Sequence, residues 1–109
     1  MAGSRKKRTK DPGECRVALA AELVIADAAG LHAQLGEALA QTEPVVLDAA
    51  AVARLDTAGL QLLMAFVQAR DEALAKWHWE NVGAALRECA AQVGLDKMLQ
   101  LPDAVPAND

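Results

Sequence analysis

The sequence predicts an α/β domain in the order ββαβαβα, a mixed sheet of four to five strands with helices packed against it. Three observations carry this. The run "PVVLDA" at 44–49 is apolar without alternation, as in a strand covered on both faces. The segments "DAAGLHAQLGEALA" and "LQLLMAFVQARDEAL" on either side of it repeat apolar residues every three or four positions, the helical period. Further on, "KWHWEN" alternates with period two, setting Trp77 and Trp79 on one side of a strand and Lys76, His78 and Glu80 on the other.

Taken in order, "CRVALAAELVI" fits one or two strands, with Val17 and Leu19 alternating and then Leu23 and Ile25. Asp27 is a candidate N-cap for the first helix, whose Leu31, Leu35 and Leu39 form one buried stripe. Gly30 and Gly36 each weaken that helix by about 1 kcal/mol relative to alanine, so packing has to compensate. Pro44 keeps the helix from running on into the next strand. In the second helix Leu60, Leu63, Met64, Val67 and Leu74 share a face, and Leu62 and Phe66 widen it. A last helix carries Leu86, Cys89, Ala90 and Val93, with Gly94 as its C′ residue and Leu95 folding back in a Schellman ending. "LDKMLQLP" adds a short helix or an edge strand.

A chain of 109 residues with 53% apolar types has material for one domain with a core, thinned by its many alanines. The expected division is a flexible basic arm at 1–13, the domain at 14–101 and a loose tail at 102–109. Arg5, Lys6, Lys7, Arg8 and Lys10 place five of the eleven basic residues in the first ten positions. From position 11 onward six basic residues face fifteen acidic ones. Such an acidic body repels phosphates, so nucleic acid is not an expected partner. No apolar run approaches the roughly 18 residues that cross a bilayer, no signal peptide is visible, and Cys15 and Cys89 have no metal-ligand or disulfide spacing. The expectation is a cytoplasmic protein without membrane insertion.

Enzyme chemistry finds little support. His32 lies on the polar side of the first helix and His78 beside two indoles, and neither has a third group at triad or metal spacing. "TAG" lacks the glycines and lysine of a phosphate-binding loop. Cys89 reads as apolar filler. Trp77 and Trp79 read either as sheet-face packing or as a stacking surface for a small ligand. No catalytic residue, metal or cofactor is expected.

One stretch stands apart, "RLDTAGLQLLMAF" at 54–66, where Asp56 and Thr57 sit at the start of an apolar helix. A short oxygen-bearing side chain there satisfies one of the four N–H groups that lack helical partners, so capping alone accounts for the residue types. The same geometry suits a switch. A helix N-terminus tolerates a phosphate, which on Thr57 adds about −1.5 to −2 charge beside Asp56 and repels a docked partner. Ala58 and Gly59 are small enough to let a partner's backbone approach.

Here the sequence resembles a known family. "VVLDAAAVARLDTAGLQLLMAF" is similar to the signature of STAS domains, in which an apolar strand leads through an Asp-(Ser/Thr)-x-Gly-Leu turn into the second helix. "AELVIADAAGL" resembles the family's first strand-to-helix passage and "LRECAAQVGLDKML" its closing helix, so the likeness spans about residues 15 to 101. It implies the STAS fold and a non-enzymatic, anti-sigma factor antagonist-like docking module. Thr57 matches the residue that a cognate anti-sigma-type serine kinase phosphorylates, Asp56 the acid before it, and Gly59 and Leu60 the pair that opens the helix. The implied partner-binding set is Asp56, Thr57, Ala58, Gly59 and Leu60. Where antagonists carry Gly-Glu-(Leu/Ile)-Asp, this chain has Ala21-Glu22-Leu23-Val24. "DTAGLQLL" is closer to short STAS proteins of chemotaxis clusters, or to the STAS subunit of lipid-asymmetry ABC transporters. The implied partner is thus a serine kinase, a chemotaxis component or an ABC ATPase.

Overall fold

The computed structural model describes residues 13–102. The expected arm and tail fall almost wholly outside them. The elements are β1 (Cys15–Ala18), β2 (Glu22–Leu23), α1 (Ala28–Leu39), β3 (Val45–Asp48), β4 (Arg54–Leu55), α2 (Thr57–Glu72), β5 (Trp77–Glu80) and α3 (Ala84–Gln92), with a 3-10 turn at Ile25–Asp27.

Among the described residues there are five strands, divided between two sheets. One has the order β1-β3-β5 and the other pairs β2 with β4. Every pairing among the described residues is parallel, where the sequence suggested mixed directions. The physical reason is connectivity, since a helix returns the chain between β1 and β3, and again between β3 and β5. Val17, Leu47 and Trp79 stand in register across the three strands and join one core with Leu31 and Leu35 of α1 and Leu60, Leu63, Phe66 and Val67 of α2. Val45, Val46 and Leu47 are fully buried, as the lack of alternation required. On the strand residues between these, the Arg16 guanidinium bridges the carboxylates of Asp48 (3.0 Å) and Glu80 (2.7 Å), clasping all three strands.

Several expectations need correction. Ile25 does not continue the alternation of Leu23. It lies in the 3-10 turn and is 71% exposed. Asp27 precedes α1 but makes no side-chain cap bond. Leu39 is 41% exposed while Ala38 takes the buried position, because the core-facing stripe drifts around the helix at 3.6 residues per turn. Leu74 lies beyond the end of α2, at a left-handed φ of 56°, and is 90% exposed. Val93, at the C-cap of α3, is 44% exposed. A Cβ added at Gly30 or Gly36 would meet nothing within 4 Å, so packing gives no reason for either glycine.

The Schellman ending of α3 is present as expected. Leu95 N–H donates to the Ala90 carbonyl (2.9 Å), Gly94 N–H to that of Ala91 (3.1 Å), and Gly94 adopts a φ of 77°. It directs residues 95–101 back over the core, where Leu99 is fully buried and its carbonyl accepts from Trp79 Nε1 (2.9 Å).

Candidate functional site: the start of the second helix

The turn between β4 and α2 is built around the Asp56 carboxylate. Oδ1 accepts from Gly59 N–H (3.1 Å), capping α2, and Oδ2 accepts from Ile25 N–H (2.9 Å) in the 3-10 turn. One side chain therefore holds two chain segments 31 residues apart. These bonds, from Ile25 first and Gly59 second, hold the Asp56 carboxyl below its ordinary range, against a smaller opposing effect of burial.

Backbone contacts set the closeness of the turn. Asp56 N–H donates to the Leu23 carbonyl (3.3 Å), and Leu60 N–H to the Asp56 carbonyl (3.1 Å). A Cβ at position 59 would overlap that same Leu23 oxygen and lie 2.9 Å from its carbonyl carbon. Glycine is thus required by an internal approach of β2 to α2.

Against the expected partner-binding set, the structure divides the residues. Thr57 is exposed at the first position of the helix, while Asp56 and Ala58 are half-buried. Gly59 is buried and Leu60 fully so. Both shape the surface from beneath, and the idea that Gly59 admits a partner's backbone is corrected: the backbone it admits is the chain's own. Ile25, which the apolar alternation placed in the core, is bonded through its N–H to this turn and shows its side chain to solvent.

A second feature went unread in the sequence. Arg70 is 2% exposed near the end of α2, and its guanidinium donates to the carbonyls of Gln41 (3.1 Å), Glu43 (3.2 Å) and Lys76 (2.7 Å). Its position was the available signal: 70 lies seven residues past Leu63 and three past Val67, on the buried face.

His32 and His78 are exposed. His78 Nε2 lies 3.3 Å from Glu80 Oε2. Among the described residues no group of three or more His, Cys, Asp or Glu could hold a metal ion, and no helix is long and apolar enough to cross a membrane. A cavity lies away from Thr57, bordered by Asp71, Trp77 and Gln100.

Fold and turn together define a small parallel α/β domain that displays a carboxylate-capped helix start on its surface. The family model described as "Mlab, STAS domain" matches residues 7–101, and the chain belongs to the STAS family. A crystal structure of an anti-sigma factor antagonist from Mycobacterium paratuberculosis is similar over 90% of this chain and 84% of that one, with 25% identity and a TM-score of 0.71. The anti-sigma factor antagonist SpoIIAA, solved in its unphosphorylated form, shares the fold over 90% of this chain and 85% of its own at 19% identity and a TM-score of 0.62. No curated protein matches the sequence. The fold is therefore that of an anti-sigma factor antagonist-like STAS domain.

Proposed function

We propose that this protein is a regulatory docking module of the anti-sigma factor antagonist type, switched by phosphorylation of Thr57. The single observation that carries this reading is the exposure of Thr57 at a helix start whose neighbour, Asp56, is already committed to the backbone. Because both Asp56 oxygens are occupied, a phosphate on Thr57 projects outward as added charge and the cap stays in place. Ile25 supplies the apolar part of the same surface, next to a hydroxyl that turns hostile to a partner once phosphorylated.

The partner on this reading is a serine kinase of the anti-sigma type. The test is to incubate the full chain with the cognate kinase and ATP and to map phosphate by mass spectrometry. Phosphate on Thr57, with reduced kinase binding by the modified protein, is the expected result. Phosphate elsewhere, or none, removes the switch.

A second reading is favoured by the description of the matched family and by the "DTAGLQLL" wording: a constitutive subunit that docks on the ATPase of a lipid-transport ABC complex. It predicts that Thr57→Ala weakens ATPase binding only as much as a smaller side chain in the interface would, and that Thr57→Glu behaves like any other bulky replacement.

A further inference from the structure

The surface around Thr57 carries charge as well as a hydroxyl. The segments that meet there are β2, the 3-10 turn, β4 and the first turn of α2. They bring three carboxylates, Glu22, Asp27 and Asp56, and a single basic side chain, Arg54. Of the neighbouring helices, α1 carries no basic residue before His32, in its second turn. On α3, which packs on β4, the Arg87 guanidinium is turned to the Pro102 carbonyl (2.5 Å).

Arg54 is open to exchange. Its Nη1 lies 3.2 Å from Glu22 Oε2, on the residue in register with it across the β2–β4 pair, and the two side chains are 67% and 50% exposed. An ion pair so open contributes little and is readily given up for a better one.

It also stands on the right side. Asp56 is extended (φ −130°, ψ −175°), so the alternation of β4 continues through it and Arg54 and Asp56 face the same way. The Asp56 carboxylate on that side caps α2. From Arg54 to Thr57 the chain spans at most about 11 Å, within the combined reach of an extended arginine and a phosphothreonine.

We propose that Arg54 is the built-in counter-ion of phosphorylated Thr57, its guanidinium leaving Glu22 for the phosphate. This role rests on the reading of Thr57 as a phosphoacceptor. A phosphate brings about −1.5 to −2 charge and three acceptor oxygens, against the single charge of Glu22. A guanidinium meets such a group in parallel N–H···O bonds, which are strong because both partners are charged. The exchange changes the surface twice. The phosphate is held in one direction, and Glu22 is released as a bare carboxylate on the strand that leads to Ile25. A partner then meets negative charge on both β2 and α2, where before it met an ion pair and a hydroxyl.

The test uses the full chain with phosphothreonine encoded at position 57, so that no kinase is needed. 31P NMR follows the second ionisation of the phosphate, whose ordinary pKa is about 6. A guanidinium in contact favours the dianion, so the unmutated phosphorylated chain should titrate about 0.3 unit below its Arg54→Gln variant. Lys76→Gln removes the same charge from an exposed site at the far end of α2 and should leave the titration unchanged. The Arg54 Nε–H signal in a 1H–15N spectrum should move between the unmodified and phosphorylated chains at neutral pH. Equal phosphate pKa values with and without Arg54 overturn the counter-ion, as do equal effects of the two variants or an Arg54 signal unmoved by phosphorylation. A kinase that leaves Thr57 unmodified removes the switch, and that failure is read in the kinase assay, whereas the titration judges Arg54 alone.

Discussion

The two ends of α2 solve the same electrostatic problem with opposite signs and opposite exposure. At the start, where N–H groups lack partners, the Asp56 carboxylate gathers amides from α2 and the 3-10 turn near the surface. Near the end, where the helix dipole is negative, the Arg70 guanidinium gathers three carbonyls from the segments preceding β3 and β5. Arg70 is sealed, and Asp56 has the exposed Thr57 beside it. The difference separates an anchor from an open surface: change at the buried end costs the fold, whereas change at the open end, on the reading proposed above, alters binding while the fold persists.

The sharpest way to break this comparison is to disturb a buried residue of the open end. Gly59→Ala drives a methyl group into the Leu23 carbonyl, between two backbones that cannot yield independently. It is expected to lower stability by about 3 kcal/mol in urea denaturation, the upper range for overpacking. Gly36→Ala, with open space around the new methyl, should raise stability by about 0.5–1 kcal/mol. Equal effects from the two would mean that close approach is not what holds glycine at 59.

Arg70→Met comes next. It retains much of the volume and removes the guanidinium from three carbonyls, of which that of Lys76 keeps the Val45 N–H (3.1 Å), for an expected loss of about 2–3 kcal/mol by the same measurement. A loss below about 0.5 kcal/mol would show that water replaces the guanidinium, and the contrast between the two ends of the helix would fail.

Asp56 provides a test by pH. Its folded-state carboxyl is held below the ordinary value, so its contribution is fully present above the unfolded pKa of about 3.9 and is lost as pH falls through the lower folded value. Asp56→Asn keeps a good capping residue but has one acceptor oxygen for two amides. The variant should melt several degrees below the wild type at neutral pH, and the gap should narrow as pH falls below about 4. A constant gap would assign the loss to shape rather than to charge.

These same residues show what could be read from the sequence. Periodicity was enough for α1, α2, β5 and α3, because each buries a face large enough to leave a pattern, and an unbroken apolar run was enough for β3, which is buried on both faces. It failed at element ends. Ile25 and Leu74 continue an apolar spacing past the point where the backbone turns away, so both lie exposed. The strand β4 is two residues long, too short to carry a period. Arg70 was hidden by its type, since a buried cation depends on three carbonyls supplied by distant segments. At the candidate site, Asp56 as cap and Thr57 as surface hydroxyl followed from local chemistry. The bond that joins Ile25 to Asp56 spans 31 positions and leaves no mark in a single sequence.

The smallest expected effect is the most decisive for the comparison. The Thr57 side chain makes none of the hydrogen bonds that hold the turn, which belong to Asp56, Gly59, Leu60, Ile25 and Leu23. Thr57→Ala should therefore change stability by less than about 0.5 kcal/mol, the range of an exposed site. The same variant, incubated with the cognate kinase and ATP, should take up no phosphate. A residue whose removal leaves the fold untouched and abolishes modification is held in place for what reaches it from outside. A loss above about 1 kcal/mol would instead make Thr57 part of the cap, and the open end of α2 would be an anchor like the buried one.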